Sequence, residues 1–167
     1  MAKALQIKVT SNSKKYISFN GTKIELSKSF QNKFAKAPLK KDLGTMAKLV
    51  RDKISSNISR GINFKTGGKV AKLAIATIKQ KGFSKPLFRT GKMVLGVMSK
   101  PDGNGFVVKM KDIKYPKKGK TPGASLPDVM KWTQEGDARR PARPVFGVNE
   151  KDLKKIVDSV TKDRIKK

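Results

Sequence analysis

Tyr16-Ile17-Ser18-Phe19-Asn20-Gly21-Thr22-Lys23-Ile24-Glu25-Leu26 is the stretch that decides the fold class. Asn20-Gly21 accepts the positive φ of a type I′ turn, so the segment reads as a β-hairpin closed by two residues. With that turn Ile17 faces Ile24 and Phe19 faces Thr22. Upstream, Leu5, Ile7 and Val9 alternate with Gln6, Lys8 and Thr10, the period of a half-buried strand.

Downstream the period changes. Phe30 and Phe34 stand one helical turn apart, and Pro38 ends any helix there. Leu43, Met46, Ala47, Val50, Ile54 and Ile58 then step by three or four, with Gly61 as a stop signal. Residues 62–69, with Thr66-Gly67-Gly68, read as a loop, and Val70 to Ile78 as a short helix or an extended piece. Residues 82–92 are punctuated by Gly82, Pro86 and Gly91. Met93–Met98 and Phe106–Met110, around Pro101-Asp102-Gly103-Asn104-Gly105, predict a second hairpin. A short helix should begin at Ser125 and Pro127, and a last one at Asn149 with Asp152 in support. Leu153, Ile156, Val157 and Val160 form the stripe of that last helix. The expected class is α+β: antiparallel hairpins packed on two longer helices. Residues 1–42 form an N-terminal β-hairpin extension and residues 43–167 the main domain.

The 167 residues include 40 Lys and Arg against 12 Asp and Glu, a net charge of +28. Leu, Ile, Val and Phe make up 41 residues, about a quarter of the chain and above the level at which high charge predicts disorder. Cysteine and histidine are absent. Disulfides, thiolate nucleophiles, Cys/His zinc sites and His-based triads are therefore excluded. No catalytic residue, metal ligand or cofactor is expected. No apolar run approaches a membrane span, and the first residues lack the apolar core of a signal peptide. The reading is a protein made in a cytoplasm that meets something polyanionic.

Three stretches invite a functional reading. Thr66-Gly67-Gly68-Lys69 lacks the GxxxxGK[ST] spacing of a phosphate loop and reads as a plain turn. Lys111, Lys114, Lys117, Lys118 and Lys120 make a basic loop that either contacts phosphates or is a solvated face. Tyr115 is its one aromatic residue, which gives base stacking little support. Arg139-Arg140-Pro141-Ala142-Arg143-Pro144-Val145-Phe146-Gly147 is the most unusual string. Its prolines stiffen it and hold Arg140 and Arg143 extended. A stiff ribbon loses little entropy on docking, so Arg139, Arg140, Pro141, Arg143, Pro144 and Phe146 are candidate interface residues; the alternative is an ordinary connector. Glu135 and Asp137 are better explained by ion pairing with these arginines than by acid/base chemistry. Arg143 should be positional, bonded to carbonyls or to Glu135 or Asp137.

The order of several motifs carries a resemblance. Met46–Val50 lies in the long helix, followed by Lys85-Pro86-Leu87-Phe88-Arg89-Thr90-Gly91-Lys92-Met93 before the second hairpin. Then come Val129-Met130-Lys131-Trp132-Thr133-Gln134-Glu135-Gly136 and Pro141-Ala142-Arg143-Pro144-Val145-Phe146-Gly147, ahead of the last helix. Over residues 44–165 this resembles the phage virion morphogenesis family, the tail completion proteins of tailed bacteriophages, with Thr90, Gly91, Trp132 and Gly136 at motif positions. The resemblance implies a non-enzymatic virion protein of the neck, assembled in the host cytoplasm. It would form a ring, commonly sixfold, that completes or terminates the tail tube and joins it to the head connector, with non-specific DNA contact possible. The rival class is a sequence-independent nucleic-acid-binding protein of ribosome- or nucleoid-associated type, which composition alone would favour.

Overall fold

The structure is a computed structural model and describes residues 5–11, 13, 15–34, 39–75, 78–79, 82, 91–115, 123–138 and 140–165. Expectations placed on Pro38, Lys85–Thr90, Lys117, Lys118, Lys120 and Arg139 lie outside the described residues. The fold is α+β. In chain order it runs β1 (Gln6–Thr10), β2 (Tyr16–Phe19), β3 (Thr22–Glu25), α1 (Lys28–Phe34), α2 (Leu39–Arg60), α3 (Lys92–Leu95), β4 (Val97–Asp102), β5 (Gly105–Met110), α4 (Leu126–Glu135) and α5 (Glu150–Ile165). The strands form one five-stranded sheet in the order β3-β2-β1-β5-β4.

The hairpin register is the one that the Asn-Gly turn demands, with Ile17 opposite Ile24 and Phe19 opposite Thr22. Asn20 has φ +49° and Gly21 φ +90°. Asn20 also ties the turn to β1: its Oδ1 accepts from Lys8 N–H at 2.6 Å, and its Nδ2 donates to the Gln6 carbonyl at 2.7 Å. β1 then pairs antiparallel with both β2 and β5, Val9 lying opposite Phe19 on one side and Phe106 on the other. Alternation places Val9, Ile17, Phe19, Ile24 and Val108 on a buried face and Gln6, Lys8, Tyr16, Lys23 and Glu25 on an exposed one. The N-terminal strands thus belong to the same sheet as β5 and are not an appended extension, because β1 finds its hydrogen-bonding partner about a hundred residues away.

The chain divides into two compact units that interleave in sequence, and the expected boundary after residue 42 falls inside α2. One unit holds Gln6–Asp52, Ser99–Lys109 and Val148–Lys167; the other is built chiefly from Lys53–Met98 and Met110–Gly147. In the first, Gly44 of α2 lies against the Phe106 ring, and α5 packs on α1 and β3. Its buried side chains include Phe30, Leu43, Met46, Val50, Leu153, Val157 and Val160. Asn149 caps α5 by accepting from Asp152 N–H at 2.8 Å, as its sequence signature predicts. In the second unit Ile54, Ile58, Met93, Leu126, Met130, Val145 and Phe146 are buried.

The second hairpin corrects the sequence reading. Residues 92–95 form a helical turn, with Leu95 N–H on the Gly91 carbonyl and Gly96 N–H on that of Lys92. β4 begins only at Val97, and the connecting turn shrinks to Gly103-Asn104. A three-residue apolar run such as Met93-Val94-Leu95 fits either period, so tertiary packing decides: Met93 is buried and Leu95 exposed. Pro101 falls within β4 and not in the turn, which the sheet tolerates because β4 is an edge strand. Residues 70–74 have no regular secondary structure, and Ile78 N–H donates to the Ala74 carbonyl.

Asn20 links a left-handed backbone to two bonds that hold β1. Asn20→Gly should keep the turn and lose about 1 kcal/mol of stability through the missing side-chain bonds. Asn20→Ala should lose about 2 kcal/mol, since alanine adds the strain of positive φ. Urea unfolding of the two variants separates these contributions.

Candidate functional site

Most of the arginine ribbon is described, and it is built from the end of α4. That helix opens with a capping box. Asp128 N–H donates to the Ser125 hydroxyl oxygen at 3.3 Å, while the Asp128 carboxylate accepts from the Ser125 hydroxyl and, at 3.2 Å, from Ser125 N–H. The Ser125 side-chain bond, followed by its backbone bond, holds the Asp128 carboxyl below the usual carboxylate range. At the far end the chain leaves α4 at Gly136 with φ +69°. A Cβ there would lie 2.6 Å from both the Arg140 carbonyl oxygen and the Ala142 nitrogen, so a glycine alone lets the ribbon fold back this closely. Asp137 and Arg140 close the turn with reciprocal backbone bonds of 2.8 and 3.1 Å. The Arg140 guanidinium also pairs with the Asp137 carboxylate at 2.8 Å.

From Arg143 onward the ribbon is bonded along nearly every residue. Arg143 N–H donates to the Thr133 carbonyl at 2.8 Å. Its Nε and Nη2 donate to the carbonyls of Ala71 and Lys72 at 3.0 and 3.1 Å. The positional role predicted for Arg143 is therefore met by main-chain carbonyls, and Glu135 and Asp137 are not its partners. Burial pulls the Arg143 pKa down from its ordinary value, and the guanidinium remains a cation. Phe64 N–H donates to the Pro144 carbonyl at 3.0 Å. Gln134 imitates a strand against Phe146, accepting from its N–H at 2.7 Å and donating to its carbonyl at 3.3 Å. Buried Asn57 donates to the Gly147 carbonyl at 3.1 Å. The Phe64 ring lies over Gly147, 2.6 Å from where a Cβ would stand.

This geometry sorts the candidate residues. Arg140 and Pro141 are exposed, and Arg143 and Pro144 are half-buried. Phe146 is only 4% exposed, which corrects its place among the interface candidates: its side chain packs inside the fold and a neighbour cannot reach it. Gly91 turns the chain into α3 with φ +69°; Thr90 is outside the described residues. Trp132 stands 52% exposed on α4. The basic loop is described only in part, with Lys111 and Lys114 exposed and Lys114 bridged to Ser125. The Lys92 ammonium sits 5.5 Å above the Tyr115 ring, a cation–π contact. Thr66-Gly67-Gly68-Lys69 is a turn, closed by an Ile62–Lys69 bridge and by Asn63 N–H on the Gly68 carbonyl.

Sequence reasoning missed Gln134, Asn57 and the 71–72 carbonyls. Asn57 carried a signal, being a polar residue seven positions after Val50 and three after Ile54, on the apolar face of α2. Main-chain acceptors leave no such trace. Among the described residues no group of three carboxylates could hold a metal ion, and no helix is long and apolar enough to cross a membrane.

Arg143→Lys should cost about 1 to 2 kcal/mol in urea unfolding, because an ammonium cannot reach both carbonyls with one planar fork. Lys114→Ala should stay within about 0.5 kcal/mol. For Asp128 the folded pKa lies below the unfolded one, so its stabilisation is present above about pH 4 and fades as pH falls through the folded value. Asp128→Asn should flatten that part of the acid-unfolding curve.

Compared with protein-family models, curated proteins and solved structures, the chain matches none.

Proposed function

We propose that the chain is a structural protein of a phage neck, of the tail-completion kind. It assembles as a ring that ends the tail tube and joins it to the head connector. The role is not enzymatic, and its site of action is the virion. One observation carries this reading. The two motifs that resemble the family, the helix ending in Gly136 and the ribbon Pro141–Gly147, fold onto each other. Gly136, Arg143 and Gly147 each fill a steric or hydrogen-bonding role there. An ordinary connector needs no such stitching, whereas a segment that must keep its shape against a neighbour does. The outward side of the ribbon, Arg140 and Pro141, is then available to that neighbour.

The charge supports a second reading, a nucleic-acid-binding module, since +28 on 167 residues demands an anionic counterpart. In the neck reading that counterpart is acidic surface on adjoining proteins. A lumen lined with lysines would grip the DNA it conducts, each neutralised phosphate adding about 0.9 to the log–log salt slope. Lys111 and Lys114 accordingly face partners or the outside.

Quantitative mass spectrometry of purified particles tests the proposal. The expected result is one ring of copies per tail, about six by the resemblance; absence of the chain from particles contradicts it. Free protein should bind duplex DNA weakly, without sequence preference, and release it at moderate salt. Sequence-selective binding that survives such salt would favour the second reading.

A further inference from the structure

Trp132 is the chain's one tryptophan, and it stands in water on the outer side of α4. Asp128, Trp132 and Glu135 follow one another at helical spacing and are all exposed, while Leu126 and Met130 are buried. Glu135 makes no ion pair or side-chain hydrogen bond among the described residues. Asp128 spends one carboxylate oxygen on Ser125 and feels the charge of Lys131 one turn on, which leaves Glu135 as the carboxylate open to a partner. With Asp137 paired to Arg140, the charges along α4 are Asp128, Lys131 and Glu135, a net −1 within a chain of +28.

An exposed indole with a carboxylate one turn to either side is a seat for a cation, through the ring face and the adjacent negative charge. A phosphate backbone or an acidic partner would meet Asp128 and Glu135 with like charge. A second copy of this chain brings a surface rich in lysine and arginine, the complement of this strip. We propose that Asp128–Trp132–Glu135 is one half of a heterologous contact between copies, receiving a lysine or arginine side chain of the next copy over the Trp132 indole with its head paired to Glu135. A contact between two different faces propagates around a ring. The inference rests on the ring-forming reading above and names the surface that closes it.

The test uses nuclease-treated full-length chain, followed from micromolar to millimolar concentration by sedimentation velocity and by the emission of its single tryptophan. Association should rise with concentration, and in step with it the Trp132 emission should move to shorter wavelength and lose access to iodide. Glu135→Lys and Trp132→Ala should each shift association to about tenfold higher concentration with far-UV circular dichroism unchanged. Glu135→Gln should have a smaller effect in the same direction, and Trp132→Phe should retain most of the association. Association that leaves the emission unmoved and ignores these variants overturns the proposal while leaving the ring reading intact. A chain that stays monomeric throughout also overturns the proposal, and the ring reading then stands or falls on particle composition. If a single-stranded oligonucleotide shifts the emission of a monomeric chain, the strip is a base-stacking site and the proposal fails.

Discussion

Arg143 donates to the main-chain carbonyls of Ala71 and Lys72 while its own N–H bonds to Thr133, and the shape of residues 140–147 depends on that clamp. Pro141 and Pro144 remove two backbone donors from the ribbon, which therefore cannot add to a sheet as a regular strand. What replaces the ladder is a set of separate bonds: Arg143 to Ala71 and Lys72, Phe64 to Pro144, Gln134 to Phe146 and Asn57 to Gly147. A guanidinium held by carbonyl oxygens retains its full charge. The clamp is thus well tied without being neutral.

The second constraint is charge. Forty cationic side chains leave little room for internal neutralisation, and the Lys8–Asp102 and Arg140–Asp137 pairs lie at exposed positions, where such pairs contribute little. Stability must come from the apolar interiors of the two units, from β1 placed between two partners, and from caps such as Ser125 and Asn149. The fold is built by hydrophobic burial beneath a strongly cationic surface.

Much of this was legible in the sequence where the determining contacts are local. The Asn20-Gly21 turn sets the hairpin register through its own backbone, and the α2 stripe from Leu43 to Ile58 is a matter of period. Legibility ended where partners are distant. Arg143 bonds to carbonyls more than seventy residues away, and no side-chain pattern announces them. Met93-Val94-Leu95 was too short to reveal its period. Phe146 sits in a ribbon that reads as exposed, yet Gln134 and Phe64 fold that end into the interior. Trp132 shows the converse, an apolar residue at helical spacing that stays in solvent.

The most direct measurement is a cryo-electron microscopy reconstruction of the assembled neck at side-chain resolution. If the proposed neck role holds, several copies of this chain are arranged around the tail axis, with Arg140, Pro141 and the Trp132 face at contacts between protein chains and Lys111 and Lys114 turned away from the lumen. A single copy, or a lumen lined by Lys111 and Lys114 in contact with DNA, would contradict it.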